Sequence, residues 1–265
     1  MQTNVNILFI GDVVGRYGRR ILRNEIDSIK REFDIDFTVI NAENAADGFG
    51  INKKVYDDIE KCGDVLTLGN HTWDKKEFLK DVDSMPKIIR PINFSKKAPG
   101  LGYRIVPING FEIAVINAIG RVFMMPVDNP FYEVEELLED EIPDDIKIKI
   151  VDFHAEATSE KQAFGWYFDG RVSAVLGTHT HVQTADERVL PNGTAYITDV
   201  GMTGCHDGVL GFNKDEALSR FLTYIPKRLK VCKSNLRING CIITVNSKSG
   251  KALNIQRINR SVNLN

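Results

Sequence analysis

The chain is predicted to fold as a layered α/β protein with mixed strand directions. Three observations lead there. Short apolar, β-branched runs alternate with longer amphipathic stretches, as in helices packed on a largely parallel sheet. Near the C-terminus two apolar runs flank a polar turn instead, so some strands are antiparallel. Successive strand candidates also stop at polar clusters, the usual place for ligands in open α/β sheets. These features fit one mixed sheet, or a sandwich of two sheets flanked by helices.

The elements follow in order. Val5 to Ile10 is the first strand candidate. Leu22, Ile26, Ile29 and Phe33 then recur at spacings of four, three and four, which is helical periodicity. Phe37 to Ile40 is a strand, Ile51 to Cys62 a helix, Val65 to Leu68 a strand and Asp74 to Val82 a short helix. Ile113 to Ile116 and Ile148 to Phe153 are strands. Ala157 to Phe168 is helical, Val172 to Leu176 and Ala195 to Thr198 are strands, and Asp215 to Tyr224 is helical. Gly240 to Val245 and Ala252 to Ile255 flank Asn246-Ser247-Lys248-Ser249-Gly250 as a closing hairpin. No repeat, low-complexity tract or linker interrupts the chain, so residues 1–265 are expected to form a single domain.

Composition narrows the function classes. Lys plus Arg total 34 against 36 Asp plus Glu, a formal net charge of −2. That balance gives no global field for nucleic acid or a membrane surface, although a local phosphate site remains compatible with it. The N-terminus shows no signal peptide and no stretch is long and apolar enough to span a bilayer, so the cytoplasm is expected. Cys62, Cys205, Cys232 and Cys241 show no C-x-x-C spacing and are expected to be reduced thiols.

The chemistry sits at the strand ends. Gly11-Asp12 follows Ile10, and Asn41-Ala42-Glu43-Asn44 follows Ile40. Gly69-Asn70-His71 follows Leu68, His154 follows Phe153, and Gly177-Thr178-His179-Thr180-His181 follows Leu176. In an extended segment His179 and His181 would face the same way and could grip metal. Carboxylate, amide oxygen and imidazole are on offer, without thiolate. Such a set suits Mn²⁺, Fe or Zn²⁺, with Mg²⁺ less favoured beside three imidazoles. Asp12, Glu43, Asn44, Asn70, His154, His179 and His181 are too many for one tetrahedral zinc. They suit two ions about 3.5–4 Å apart with a bridging carboxylate, a pair that acts on phosphoryl groups.

Taken together these motifs resemble the calcineurin-type metallophosphoesterases, in order, over residues 9–181. One departure narrows the resemblance. The general pattern opens with Asp-x-His, whereas Asp12-Val13-Val14 has no such histidine, and Glu43-Asn44 stands where an Asp would bridge. Asn41 to Gly48, Gly69 to Asp74 and Thr198 to Gly204 are similar almost residue for residue to the YmdB-like subfamily, over nearly the whole chain. The resemblance implies an α-β-β-α sandwich with mixed sheets and the metals at the carboxyl ends of the strands. It implies that Asp12, Glu43, Asn44 and His181 bind one ion and that Glu43, Asn70, His154 and His179 bind the other. His71 would protonate the leaving oxygen. It also implies cyclic nucleotide phosphodiesterase activity on 2′,3′-cyclic nucleotides, with 3′,5′-cyclic nucleotides also open.

Each residue has a plainer reading. A lone His154 is ordinarily a satisfied core histidine, Gly11-Asp12 is a common turn pair, and Glu43-Asn44 could cap a helix. Gly204-Cys205-His206-Asp207-Gly208 reads as a tight turn rather than a substrate loop. Arg16, Arg19 and Arg20 read as a solvated helix face. Phe123-Met124-Met125-Pro126 is a lid, an oligomer contact or a buried return loop. Competing functions are a phosphomonoesterase or nucleotidase on the same metals, a low-turnover nucleotide- or RNA-binding regulator, and a zinc amidohydrolase. The lack of a basic, aromatic-interleaved patch speaks against a stable nucleic-acid complex. Barrel amidohydrolases carry His-x-His after their first strand, and here it comes late. A small phosphodiester is the expected partner, with a homo-oligomer left open.

Overall fold

The computed structural model describes residues 4–264. β1 (Asn4–Ile10) leads through Gly11 into the two-residue β2 (Asp12–Val13) and the long helix α1 (Gly15–Glu32). β3 (Phe37–Asn41), α2 (Lys53–Ile59), β4 (Val65–Thr67), the single-turn α3 (Phe78–Asp81) and β5 (Ile88–Ile89) follow. The chain then crosses to a second sheet. There lie β6 (Tyr103–Ile108), β7 (Phe111–Ile119), α4 (Pro130–Glu136), β8 (Ile148–His154), α5 (Thr158–Tyr167) and β9 (Ala174–Thr178). β10 (Arg188–Val189) and β11 (Ala195–Ile197) complete it. The chain returns to the first sheet with β12 (Met202–Cys205), α6 (Lys214–Thr223), β13 (Leu236–Asn246) and β14 (Ala252–Val262).

The first sheet runs β2-β12-β13-β1-β3-β4-β5, with β14 paired to β13. The second runs β10-β11-β9-β8-β7-β6. In the first, β1, β3, β4 and β5 are parallel while β13 opposes β1, β12 and β14. In the second, β7, β8, β9 and β11 are parallel, with β6 and β10 antiparallel at the edges. Both sheets are therefore mixed, as expected.

The period of two along β1 explains the layers. Val5, Ile7 and Phe9 point between the sheets, where they meet Val115, Ile150 and Leu176. Leu8 and Ile10 point outward, under Ile21, Leu22, Ile26 and Ile29 of α1. On the far side Phe153 and Val175 pack against Phe164 and Phe168. Three cores thus separate four layers, α-β-β-α, and each fully buried aliphatic side chain contributes about 1.5–3 kcal/mol. Asn52 caps α2, its side-chain oxygen accepting from the Val55 amide at 3.0 Å.

Several local expectations need correction. The helix expected over Asp74 to Val82 is confined to Phe78–Asp81 with a tight turn behind it. The Asp74 carboxylate is engaged by His71 Nδ1 at 2.8 Å and does not cap a helix start. Asn109 and Gly110 both have positive φ, 44° and 89°, and close a tight hairpin between β6 and β7. The loop at 121–126 is not a buried return, since Phe123 is 88% exposed. Arg19 is not merely solvated; its guanidinium holds Asp58 at 2.8 Å and the Ala45 carbonyl. The largest correction concerns the cysteines. Cys205 and Cys232 form a disulfide with Cα atoms 5.6 Å apart, while Cys62 and Cys241 are free and buried. A missing C-x-x-C spacing says nothing about a pair 27 residues apart.

Candidate metal centre

Eight strand-end residues, the seven expected ligands and His71, converge on one rim. Asp12 lies in β2, Glu43 and Asn44 follow β3, Asn70 and His71 follow β4, His154 ends β8, and His179 and His181 follow β9. Asp12, Glu43, Asn44, His154 and His181 are buried, so no surface explanation serves them. Glu43 and Asn44 do not cap a helix either, since Asn52 caps α2.

One group surrounds His154. Its Nε2 lies 3.1 Å from Glu43 Oε1, 3.0 Å from Asn70 Oδ1 and 3.0 Å from His179 Nδ1. Ligands held about 2.0–2.2 Å from one cation lie roughly 3–3.5 Å from one another, so these spacings fit a metal site. The neighbouring hydrogen bonds set which nitrogens face it. His154 Nδ1 lies 2.8 Å from the Thr178 hydroxyl, which donates to Asp152 Oδ1 at 2.7 Å. As a neutral ring His154 therefore carries its proton on Nδ1 and a lone pair on Nε2. His179 Nε2 meets Glu156 Oε2 at 3.0 Å, which leaves Nδ1 as its lone-pair nitrogen. With both rings neutral, four acceptor atoms face each other with no donor between them.

A second group lies alongside. His181 Nε2 is 3.1 Å from Asn44 Oδ1 and 3.7 Å from Asp12 Oδ1. His181 Nδ1 donates to the Leu210 carbonyl at 3.1 Å, and the Asn44 amide donates to the Gly48 carbonyl at 2.9 Å. Each contact turns the remaining lone pair inward. Asp12 Oδ2 accepts the His179 amide at 3.3 Å, but Asp12 Oδ1 is buried without a hydrogen-bond partner. A buried orphaned carboxylate oxygen is rare and costly unless a cation meets it.

The electrostatics ask for positive charge. Burial lifts the Asp12 carboxyl well above its ordinary value, despite His154 nearby. Burial pushes His154 down, yet the Glu43 carboxylate overrides it and raises the imidazole to about 9. Burial works against Glu43 ionising, but His154 more than offsets this and lowers its pKa to about 2. Burial and the neighbouring His154 charge drive His179 down to about 3.

The turn after β9 departs from expectation. His179 and His181 do not face the same way, because the segment is not extended; their φ angles are 102° and 63°. Left-handed backbone at two non-glycine residues is strained and needs support. The Asp199 carboxylate supplies it, accepting the Thr180 amide at 3.0 Å and the Thr180 hydroxyl at 2.8 Å. Fully buried Lys161 of α5 holds Asp199 at 2.8 Å and the Thr178 carbonyl at 2.7 Å. Sequence reasoning missed Lys161, Asp199, Asp152 and Glu156. One signal was present: Lys161 shares the helix face of Phe164, Gly165 and Phe168, so a lysine stands in an apolar stripe.

His71 stands apart from both groups. Its amide donates to Glu43 Oε2 at 3.1 Å, its Nδ1 meets Asp74, and its ring packs edge-on against Phe49 with centroids 5.0 Å apart. Gly69, two residues before it, is fixed by crowding. A Cβ there would lie 2.3 Å from Glu43 Oε2 and 2.4 Å from His154 Nε2. His71, Glu43, Asn44, His179, His181 and residues of α6 line one cavity of ≈ 770 Å³. His206 is not among its lining residues.

Residues 8–258 match the family described as YmdB-like protein. The chain belongs to the YmdB-like family. It is similar over 255 residues, at 49% identity and with 96% of each chain covered, to a 2′,3′-cyclic-nucleotide 2′-phosphodiesterase of Bacillus subtilis strain 168. A crystal structure of a novel phosphatase from Mycoplasma pneumoniae superposes with a TM-score of 0.92 at 34% identity, covering 98% of this chain and 95% of that one. One of a hypothetical protein from Thermus thermophilus gives 0.90 at 37% identity, covering 97% and 99%. The fold of this YmdB-like member is accordingly the metallophosphoesterase sandwich, and its chemistry is that of phosphoesterases. Among the described residues no helix is long and apolar enough to cross a membrane.

Proposed function

We propose that the chain is a dinuclear metal-dependent phosphodiesterase that opens cyclic nucleotides, 2′,3′-cyclic esters first among them. The observation that carries this reading is the convergence of acceptor atoms without donors around His154, beside an orphaned oxygen of Asp12. Glu43, Asn70, His154 and His179 would hold one cation. Asp12, Asn44 and His181 would hold the other, with Glu43 serving both. Oxygen and imidazole donors favour Fe or Mn, and Zn²⁺ or Mg²⁺ also fall within the set. When bound, two such ions neutralise the charge of a phosphodiester and lower the pKa of a water towards about 7.

The chain's own residues supply the rest. Asp74 accepts from His71 Nδ1 and orients the ring, so His71 can deliver a proton from Nε2 to the departing oxygen. His181 is held by a loop carbonyl and His179 by Glu156, which keeps the reacting geometry fixed before substrate arrives. The Bacillus subtilis relative, with its stated 2′,3′-cyclic nucleotide activity, supports the substrate class.

Glu43→Gln should abolish hydrolysis of bis-(p-nitrophenyl) phosphate while the fold persists, as judged by circular dichroism. Full activity in that variant would sink the assignment. Turnover of 2′,3′-cyclic AMP compared with 3′-AMP separates a diesterase from a monoesterase on the same metals.

A further inference from the structure

The cavity lined by the strand-end residues is also walled by one face of α6 and the residues after it. Ala217, Arg220, Phe221 and Tyr224 line it at spacings of three, one and three, the pattern of a single helix face. Two of these side chains are large, aromatic and open to the cavity. Phe221 is 74% exposed and Tyr224 is 93% exposed. Arg220 is the one Lys or Arg among the lining residues, and its guanidinium has no carboxylate partner among the described residues. A cavity of ≈ 770 Å³ falls in the range of small-ligand sites, about 300–1,000 Å³.

We infer that this face of α6 determines substrate preference: Phe221 and Tyr224 take the nucleobase on their rings, and Arg220 takes the outer oxygens of the phosphate. The inference rests on the proposed cyclic-nucleotide reading and deepens it. Its grounds are local. The ester must sit on the strand-end residues of the cavity, so the rest of the substrate lies against its other lining, which includes α6. That wall offers flat π-faces, which every base can stack on, and one unpaired cation, which matches the anionic ester. Exposed aromatic rings beside a polar rim mark a contact surface rather than a solvated helix.

Two probes separate the roles: 2′,3′-cyclic AMP, and ribose 2′,3′-cyclic phosphate, which lacks the base. The doubly substituted protein Phe221→Leu, Tyr224→Leu keeps apolar volume but removes both rings. It should raise KM for 2′,3′-cyclic AMP about tenfold and leave the base-free ester within about twofold, with kcat unchanged for both. Arg220→Gln should raise KM about tenfold for both esters. Equal changes on the two esters in the ring variant, or none, would overturn the base contact, and unchanged KM in Arg220→Gln would overturn the phosphate contact. Calorimetric binding of 3′-AMP against ribose 3-phosphate needs no turnover. Ring-dependent binding in a wild-type protein without diesterase activity would uphold the wall and defeat the reaction. Normal turnover with ring-independent binding would do the reverse.

Discussion

Replacing Gly69 by alanine adds one methyl group at the tightest point of the centre. That carbon would stand 2.3 Å from Glu43 Oε2 and 2.4 Å from both Nε2 and Cδ2 of His154. Ordinary contact lies near 3.4 Å, so two side chains proposed as ligands must each retreat by about 1 Å. Neither has anywhere to go, for Glu43 is 1% exposed and His154 is fully buried. A displacement of about 1 Å at a reacting centre costs on the order of 100-fold in rate. Disturbed ligand orientation costs about 10–100-fold in metal affinity. Overpacking takes about 1–3 kcal/mol from stability, partly offset by about 0.4–1 kcal/mol from stiffening the unfolded chain. Melting should therefore fall by only a few degrees, at about 2–4 °C per kcal/mol. The assay is bis-(p-nitrophenyl) phosphate turnover across a manganese titration, with a thermal melt of the same sample. Wild-type kcat together with wild-type metal affinity would refute the crowding deduced for this glycine.

Other outcomes follow from the same geometry. His71→Asn should lower kcat for 2′,3′-cyclic AMP by about 10²–10⁴-fold but spare bis-(p-nitrophenyl) phosphate, whose leaving group needs no proton; equal losses on both would remove the acid role. Lys161→Met leaves Asp199 charged and buried, so it should destabilise by about 3–5 kcal/mol in thermal or urea unfolding; a change under about 1 kcal/mol would show that the pair carries little. Chelation should stop turnover and lower the melting temperature, with metal at about 100 times its Kd restoring about 2.7 kcal/mol; an unshifted melt would mean no tight site. Denatured without reductant, the chain should show two free thiols, and four after reduction, by Ellman titration. In the native protein Cys62, whose thiol burial raises to about 11, should resist alkylation at pH 8. Four thiols without reductant would exclude the Cys205–Cys232 bond, which otherwise contributes about 3–4 kcal/mol through its closed loop.

The fold was legible where one rule dominates. Val5 to Ile10 and Ile148 to Phe153 are mostly apolar runs with nowhere to sit but a buried strand, and Leu22 to Phe33 has a helix period that nothing interrupts. The short edges were not. β5 has two residues and β10 has two, too few for any period to register. α4 drew no helix expectation, though Asn129 caps it and Pro130 opens it. The candidate ligands stood out because histidine and carboxylate after an apolar run are conspicuous. What orients them was not, since it depends on distant partners: Asp199 beneath Thr180 and Asp152 behind Thr178. The strained turn at His179 and His181 belongs to the same class, because only its supports make its φ angles tenable.

The Cys205–Cys232 bond has a consequence for how such an enzyme can diversify. Between those anchors lie Val209, Leu210 and the whole of α6, so one side of the cavity is a segment stapled at both ends. Closing a longer or shorter loop between fixed ends changes free energy only slowly with length. The strand-end carboxylates and imidazoles come from elsewhere in the chain. What His181 takes from the loop is the Leu210 carbonyl, a backbone group that any residue would provide. Heritable change in this stretch can therefore alter which ester is accepted while the hydrolytic machinery is passed on untouched.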